Sequence, residues 1–189
     1  MSDYFLDITQ TNRTFNGEDL NFKEFENCTF LNCNFSDCIF KDTTFIDCTF
    51  KDCVFDAAKI GHTALRTVTF SNCSIREVNF AMVSQFIFEV HFENCVLDFS
   101  KFYALKMKGT TFRNSSLIAV DFMSTDLTEV AFENCDLYKS EFDLANASKA
   151  NFKTSYNYTI NPKKTKIKKA VFSSEGVKGL LAQHDILVC

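Results

Sequence analysis

Residues 27–55 read NCTFLNCNFSDCIFKDTTFIDCTFKDCVF, and a phenylalanine returns at every fifth position of this stretch. The six phenylalanines are Phe30, Phe35, Phe40, Phe45, Phe50 and Phe55. A helix of 3.6 residues per turn would spread these side chains around its axis, and a straight strand would place successive ones on opposite faces. A chain that keeps all six inside must turn once in every five residues. The stretch therefore predicts a repeat architecture with these phenylalanines as its core.

The five-residue period extends well beyond this stretch. It holds from Phe15 to Phe80, shifts by two residues, and resumes from Phe92 to Phe152. All 27 central positions carry Phe, Leu, Ile or Met, except Ala147. The shift predicts a two-residue insertion at a junction over residues 81–91. Phe86 and Phe88 cannot both point inward there, so the junction is either a bulge that repacks without function or a small exposed apolar patch or bend.

Four five-residue units with one corner each would close a square coil of twenty residues. Successive coils would then stack at the spacing of neighbouring strands, about 4.8 Å. The central residue and the small residue two positions before it would face the interior, and the other three positions would face water. This pattern predicts an all-β solenoid over residues 1–156.

The repeating A/C-(D/N)-(L/F)-x-x pattern resembles the pentapeptide-repeat family. The resemblance covers residues 15–152, and it implies a right-handed quadrilateral β-helix.

Residues 157–189 lack the five-residue period and form a separate C-terminal segment. Ser173 or Ser174 can cap a short α-helix, with Glu175 favourably placed in its first turn. A short apolar strand is expected to follow Asp185. The order N-Y-x-I-(N/D), IKKAxFS, GLL and DI is similar to the C-terminal module of the Qnr/MfpA/AlbG-type proteins of this family.

That second resemblance implies a homodimer formed through the C-terminal helix and strand. The residues that would form the dimer contact are Val177, Leu180, Leu181, Ile186, Leu187 and Val188. It also implies a protein that mimics duplex DNA, binds DNA gyrase or topoisomerase IV, and protects it from quinolones or other gyrase poisons. No direct binding of nucleic acid is expected of such a mimic.

Acidic residues are the candidates for the partner-binding surface. Asp37, Asp42, Asp47 and Asp52 each follow a central Phe by two positions, so they would surround one coil with carboxylates. Residues 1–148 hold 22 acidic and 12 basic side chains, a net charge of −10, whereas residues 149–189 hold 2 and 8, a net charge of +6. An acidic wall could compete with DNA for a basic groove. Alternatively, these residues only solubilise the corners, where Asp and Asn suit tight turns.

Eight of the nine cysteines lie two positions before a central residue, and only Cys189 is off the pattern. Their spacing is not that of a zinc site, so no metal is expected. Cysteines twenty residues apart would stack closely enough for a disulfide, although parallel side chains disfavour one. We interpret them as buried thiols that act as small apolar residues.

The sequence predicts neither an enzyme nor a bound cofactor. His62, His91 and His184 are scattered, and the five glycines form no phosphate-binding loop. The start of the chain does not resemble a signal peptide and no stretch is long enough to span a membrane, so a cytoplasmic protein without membrane contact is expected. Two other functions remain open: a scaffold for a different cytoplasmic partner, or ice binding through the file of Thr9, Thr29, Thr49 and Thr69.

Overall fold

Parallel pairing between residues twenty positions apart builds the fold. The computed structural model describes residues 3–86, 88–184 and 186, which wind as a right-handed quadrilateral β-helix. Phe30 pairs with Phe50 and Phe50 with Phe70, each one coil further along the axis. The strands are β1 Asp3–Leu6, β2 Thr9–Thr11, β3 Lys23–Glu26, β4 Thr29–Leu31, β5 Thr44–Ile46, β6 Thr49–Lys51, β7 Ala64–Ser71, β8 Phe88–Glu93, β9 Thr111–Arg113 and β10 Ala131–Glu133.

The coil has four faces, each defined by its stacked central residues. Face 1 carries Phe25, Phe45, Leu65, Met107, Leu127 and Ala147. Face 2 carries Phe30, Phe50, Phe70, Phe92, Phe112, Phe132 and Phe152. Face 3 carries Phe15, Phe35, Phe55, Ile75, Leu97, Leu117 and Leu137. Face 4 carries Leu20, Phe40, Ile60, Phe80, Phe102, Phe122 and Phe142. All of these side chains are buried. The predicted solenoid and its apolar interior are confirmed.

Aromatic rings stack along face 2 without interruption. The ring of Phe50 lies 4.8 Å from that of Phe30 and 5.1 Å from that of Phe70, and the planes are nearly parallel. The stack continues across the junction, where Phe70 and Phe92 lie 5.2 Å apart, and ends at Phe172, 5.2 Å from Phe152. Coil stacking therefore runs beyond residue 156 to Phe172.

The small inward positions are hydrogen-bonded as well as packed. The thiol of Cys53 donates to the carbonyl oxygen of Phe30 at 3.4 Å, and the hydroxyl of Thr125 donates to that of Phe102 at 2.8 Å. A Cys, Ser or Thr here fills limited space and also satisfies a carbonyl of the preceding coil. The eight patterned cysteines are buried and unpaired by disulfides, while Cys189 lies outside the described residues.

The two-residue insertion lies at the corner between faces 4 and 1. Phe88 packs partly against the core, with its ring 6.4 Å from that of Phe80, whereas Phe86 is 87% exposed. The register between β7 and β8 shifts between Leu65 and Val68. Of Phe86 and Phe88, which cannot both point inward, Phe86 is therefore the one that faces solvent.

The solenoid ends in a short helical segment. It forms as two 3₁₀ helices, Gly176–Leu180 and Ala182–His184, rather than as one α-helix. The hydroxyl of Ser173 accepts a hydrogen bond from the amide of Gly176 at 2.9 Å, but the N-cap of the first 3₁₀ helix is Glu175, which makes no side-chain capping bond. Leu180 packs partly against the core of the last coil, so this segment covers the end of the solenoid.

Candidate partner-binding surfaces

The four aspartates of the predicted acidic wall lie at four successive corners of one coil. Asp37, Asp42, Asp47 and Asp52 are all exposed. Because each occupies a different corner, a flat partner would meet only one or two of them at once. The structure therefore arranges them as a ring around the coil and not as a single acidic face.

The backbone supplies a structural reason for aspartate at these corners. The φ angles of Asp37, Asp42, Asp47 and Asp52 lie between 50° and 56°, in the left-handed region. Of the 27 non-glycine residues with positive φ in the described part of the chain, 13 are Asn or Asp, the two types that tolerate this conformation best after glycine. The corner backbone thus explains an Asn or Asp here, but not the choice of the charged residue over the neutral one.

Asparagines at one corner form a ladder that the sequence reading did not include. The Nδ2 group of Asn94 donates to Oδ1 of Asn72 at 3.1 Å, and Asn114 and Asn134 continue the chain at 3.2 and 3.0 Å. The chain ends where Asn72 donates to the carboxylate of Asp52 at 3.0 Å. The sequence does contain a signal for this ladder. Asn recurs at positions 72, 94, 114 and 134, which are one coil of twenty residues apart except for the first step, where the two-residue insertion makes it twenty-two.

Charge varies strongly along the solenoid axis. Residues 3–62 carry 11 acidic and 5 basic side chains, residues 125–144 carry 6 and 1, and residues 145–184 carry 1 and 8. Because the chain climbs the axis without reversing, these sequence intervals are also axial intervals. Residues 63–124 carry 5 acidic and 6 basic side chains and are nearly neutral, so the negative charge of the body lies in two bands, at residues 3–62 and 125–144, and the C-terminal end is basic.

Several charged side chains pair between neighbouring coils at the boundary between the acidic and basic parts. Lys149 donates to Glu129 at 2.6 Å, and this hydrogen bond, with help from Lys108, lowers the pKa of the Glu129 carboxyl. Lys164 donates to Asp143 at 2.6 Å, which raises the pKa of the lysine. These pairs are exposed and each contributes little to stability. They do reduce the net charge at the boundary between the acidic and the basic part of the solenoid.

An apolar patch lies along the edge between faces 4 and 1. Besides Phe86, it contains Met82 at 55% exposure, Tyr103 at 49% and Leu144 at 70%. The outward positions of a solenoid are normally polar, so exposed apolar side chains from three coils along one edge are unusual for a surface. The coil between those of Tyr103 and Leu144 carries Ser124 at this corner. Sequence reasoning identified only the region of Phe86, because the other members are outward residues that follow no motif.

The described residues provide no group of three or more His, Cys, Asp or Glu side chains that could hold a metal ion. An internal cavity of about 20 Å³ is lined by apolar residues and by Thr63, whose buried hydroxyl lacks a hydrogen-bond partner. This volume is about that of one water molecule. No helix in the described part of the chain is long and apolar enough to cross a membrane.

The sequence profile of the pentapeptide repeat region matches residues 23–84 and 86–174. The chain belongs to the pentapeptide-repeat family. The break between the two matched segments coincides with the insertion, which makes the junction a departure from the repeat and not a boundary between folds. No curated protein matches the chain at a significant level of sequence similarity.

Solved structures of pentapeptide-repeat proteins share the fold at low sequence identity. A trypsin-treated variant of QnrB1, described as a plasmid-mediated fluoroquinolone resistance protein, has a TM-score of 0.57 and 16% identity, covering 98% of this chain and 100% of its own. Full-length QnrB1 gives 0.55 and 14%, with 97% and 100% coverage. HetL, from the cyanobacterium Nostoc and involved in the regulation of heterocyst differentiation, gives 0.55 and 13%, with 90% and 86% coverage. Identities this low support the shared fold alone.

The residues of the predicted dimer contact differ in accessibility. Val177 is 41% exposed and Ile186 is exposed, whereas Leu180 and Leu181 are partly buried. Leu187 and Val188 lie outside the described residues. Val177 and Ile186 are therefore the members with the most accessible surface.

Tyr158 holds the pentapeptide-repeat coil and its helical end together. A Cβ atom added to Gly176 would overlap the hydroxyl of Tyr158, and one added to Gly179 would overlap its carbonyl oxygen. The amide of Ile160 donates to the carbonyl oxygen of Gly179 at 3.1 Å. The hydroxyl of Tyr158 is buried without a partner, and burial raises its pKa. Two glycines are thus needed for the close approach of the segment to this ring.

Proposed function

We propose that this pentapeptide-repeat protein is a non-enzymatic, cytoplasmic DNA mimic that binds DNA gyrase or topoisomerase IV and protects it from quinolones or other gyrase poisons. The observation that carries the proposal is the acidic body, with a net charge of −10 over residues 1–148, in a fold that matches QnrB1 over almost its whole length. The similar C-terminal sequence module supports it.

In this mechanism, carboxylates on the solenoid take the place of DNA phosphates in a basic groove. Most non-specific affinity for DNA comes from such charge contacts, so an acidic rod can compete for the same lysines and arginines. Asp37, Asp42, Asp47 and Asp52 are the proposed contacts. Their arrangement around the coil suits a groove that encloses the rod on several sides better than it suits a flat surface.

The proposed active form is a homodimer joined through the C-terminal segment. Val177, Leu180, Leu181, Ile186, Leu187 and Val188 would make the contact, which would place two acidic bodies at the ends of one longer rod. Residues 157–189 would act as the dimerisation module and residues 1–156 as the partner-binding part.

A supercoiling assay with purified DNA gyrase tests the proposal. With a fluoroquinolone present, micromolar protein is expected to restore supercoiling, and without the drug to inhibit it at higher concentration. A variant with Asp37, Asp42, Asp47 and Asp52 replaced by Asn should lose both effects while keeping its fold. If the wild-type protein neither inhibits nor rescues either topoisomerase, gyrase protection is excluded.

The apolar patch supports a second candidate function, a scaffold for a different cytoplasmic protein. Tyr, Phe and Met are enriched in the buried centres of protein interfaces, and Met82, Phe86 and Tyr103 are of these types. HetL, which shares the fold, is named for a role in regulating differentiation. The test compares the phenotype of cells that carry Phe86→Ser with that of cells in which Asp37, Asp42, Asp47 and Asp52 are replaced by Asn. If only Phe86→Ser gives the phenotype of a gene deletion, the scaffold function is favoured.

A further inference from the structure

The last coil of the solenoid carries a dense row of lysines. Five of the seven residues from 163 to 169 are lysines, and all five are exposed: Lys163, Lys164, Lys166, Lys168 and Lys169. They begin at the corner between faces 4 and 1 and continue along face 1. Lys149 lies at the same corner position as Lys169, one coil earlier.

Few acidic groups neutralise this row. Within residues 145–184 the only acidic side chain is Glu175, which pairs with Lys178 at 3.1 Å. Asp143 of the preceding coil pairs with Lys164, and Glu129 pairs with Lys149. In the described structure, Lys163, Lys166, Lys168 and Lys169 have no salt-bridge partner. The end of the solenoid is therefore a concentrated positive charge.

The backbone sets the direction and spacing of these lysines. Ile167 packs partly against the core, so Lys166 and Lys168 on either side of it point outward. Two residues of extended chain span about 7 Å, a separation comparable with that of successive phosphates along one nucleic acid strand. A rigid β-helix holds this spacing without the ordering cost that a flexible lysine tail would carry.

We propose that the lysines of residues 163–169 form a binding site for the phosphate backbone of duplex DNA. DNA presents negative charges in a regular, closely spaced row, and it is recognised without sequence preference by such lysine contacts. The acidic band at residues 125–144, with 6 acidic and 1 basic side chain, repels a duplex from the neighbouring coils. Contact is therefore restricted to the C-terminal end and involves only a few phosphates.

This site goes beyond the proposed function, because a DNA mimic alone needs no contact with DNA. The acidic body and the basic end have opposite charge preferences, so one molecule can engage a basic protein groove and a duplex at the same time. Neither activity requires the other.

Fluorescence anisotropy with a labelled duplex of about 20 base pairs tests the site without any topoisomerase. The wild-type protein is expected to bind at low salt, with an affinity that falls steeply as salt rises. Replacing Lys166, Lys168 and Lys169 by Gln should weaken binding roughly tenfold or more and reduce the slope of log affinity against log salt by about 3, close to 0.9 per lost phosphate contact.

The matched control replaces Lys41, Lys51 and Lys59 by Gln, which changes the net charge equally but in the acidic coils. It should leave DNA binding close to that of the wild type. Equal loss in both variants, absence of binding by the wild-type protein, or equally tight binding of labelled polyglutamate would overturn the proposal. Self-association of the protein at low salt that disappears in the Lys166, Lys168 and Lys169 variant would also overturn it, because the row would then serve the acidic end of a second copy.

Discussion

The ring of Phe50 lies between those of Phe30 and Phe70, 4.8 and 5.1 Å away, with interplanar angles of 13° and 11°. Offset stacking on both sides adds to the apolar burial of each ring. Phe50 also meets Phe45 and Phe55 edge-on, at 5.2 and 5.0 Å. The side chain is thus held within its coil and between coils at once.

Truncating this ring should open an unrelaxed cavity. Phe50→Ala is expected to lower the free energy of unfolding by about 3–5 kcal/mol, measured by urea denaturation. The exposed Phe86 gives the matched control, and Phe86→Ala should change stability by less than about 0.5 kcal/mol. A loss below about 1 kcal/mol for Phe50→Ala would contradict its place in the core.

The docking of the C-terminal segment on Tyr158 depends on glycine. Gly179→Ala should lower the free energy of unfolding by about 1–3 kcal/mol, because the added methyl group must displace backbone atoms. Gly61→Ala serves as the control, since a Cβ atom at Gly61 meets nothing within 4 Å. Equal melting temperatures for the two variants would show that the segment does not need this close contact.

The proposed dimer contact can be tested at Val177, one of its exposed side chains. Val177→Glu is expected to convert a dimer into a monomer, measured by light scattering, because it places a charge in an apolar interface. Lys178→Glu is the control, because it changes the next residue, whose side chain is already charged and exposed. This variant should keep the wild-type mass. The double variant Leu180→Glu, Leu181→Glu should also be monomeric, although Leu180 contacts the core and its loss will lower stability. An unchanged mass for Val177→Glu would exclude this interface.

Alkaline pH should destabilise the fold through its buried thiols. Burial raises the pKa of Cys48 from 9.0 to about 12 and that of Cys135 to about 11. Below pH 9 both thiols are protonated in the folded and unfolded chains, so the stability is complete. Above pH 9 the unfolded chain loses these protons while the folded chain keeps them, and stability falls until the folded pKa is passed. Denaturation at several pH values should show this decline, and Cys48→Ala should make it shallower.

The aspartates at the corners allow charge to be removed without changing the backbone preference. Asn tolerates a positive φ as Asp does, so Asp42→Asn and Asp47→Asn should leave the melting temperature within a few degrees of the wild type. A large fall in gyrase inhibition by the same variants would assign the charge a functional role. If gyrase inhibition is unchanged in these variants, the role of the two aspartates is structural only.

The sequence predicts this fold closely wherever the repeat is regular. The period of five identified the core ladder from Phe15 to Phe152 and located the insertion, because the interior accepts only large apolar residues at fixed spacing. It did not determine which of Phe86 and Phe88 would remain outside, since that depends on how Phe88 meets Phe80. The C-terminal α-helix was expected from its capping residues, whereas the segment forms two 3₁₀ helices. The contact of Gly176 and Gly179 with Tyr158 is a tertiary effect that the local sequence does not predict.

The surface was less predictable than the core. The positions of Asp37, Asp42, Asp47 and Asp52 followed from the period, but their left-handed backbone did not enter the prediction. The apolar patch of Met82, Phe86, Tyr103 and Leu144 comes from residues more than sixty positions apart. Only the stacking of coils brings them to one edge, so no local pattern could reveal it.

The two-residue insertion is absorbed between Phe80 and Val90, and the register of β8 on β7 is regular again from the Val68–Val90 pair onward. The Phe70–Phe92 stack, the Asn72–Asn94 hydrogen bond and the Phe80–Phe102 stack all continue across a coil that is two residues longer than its neighbours. The insertion therefore leaves the register of faces 2, 3 and 4 unchanged. The point between Ser84 and Phe88 is consequently a permissive site for engineering, where a peptide tag or binding loop could be displayed from an otherwise rigid scaffold.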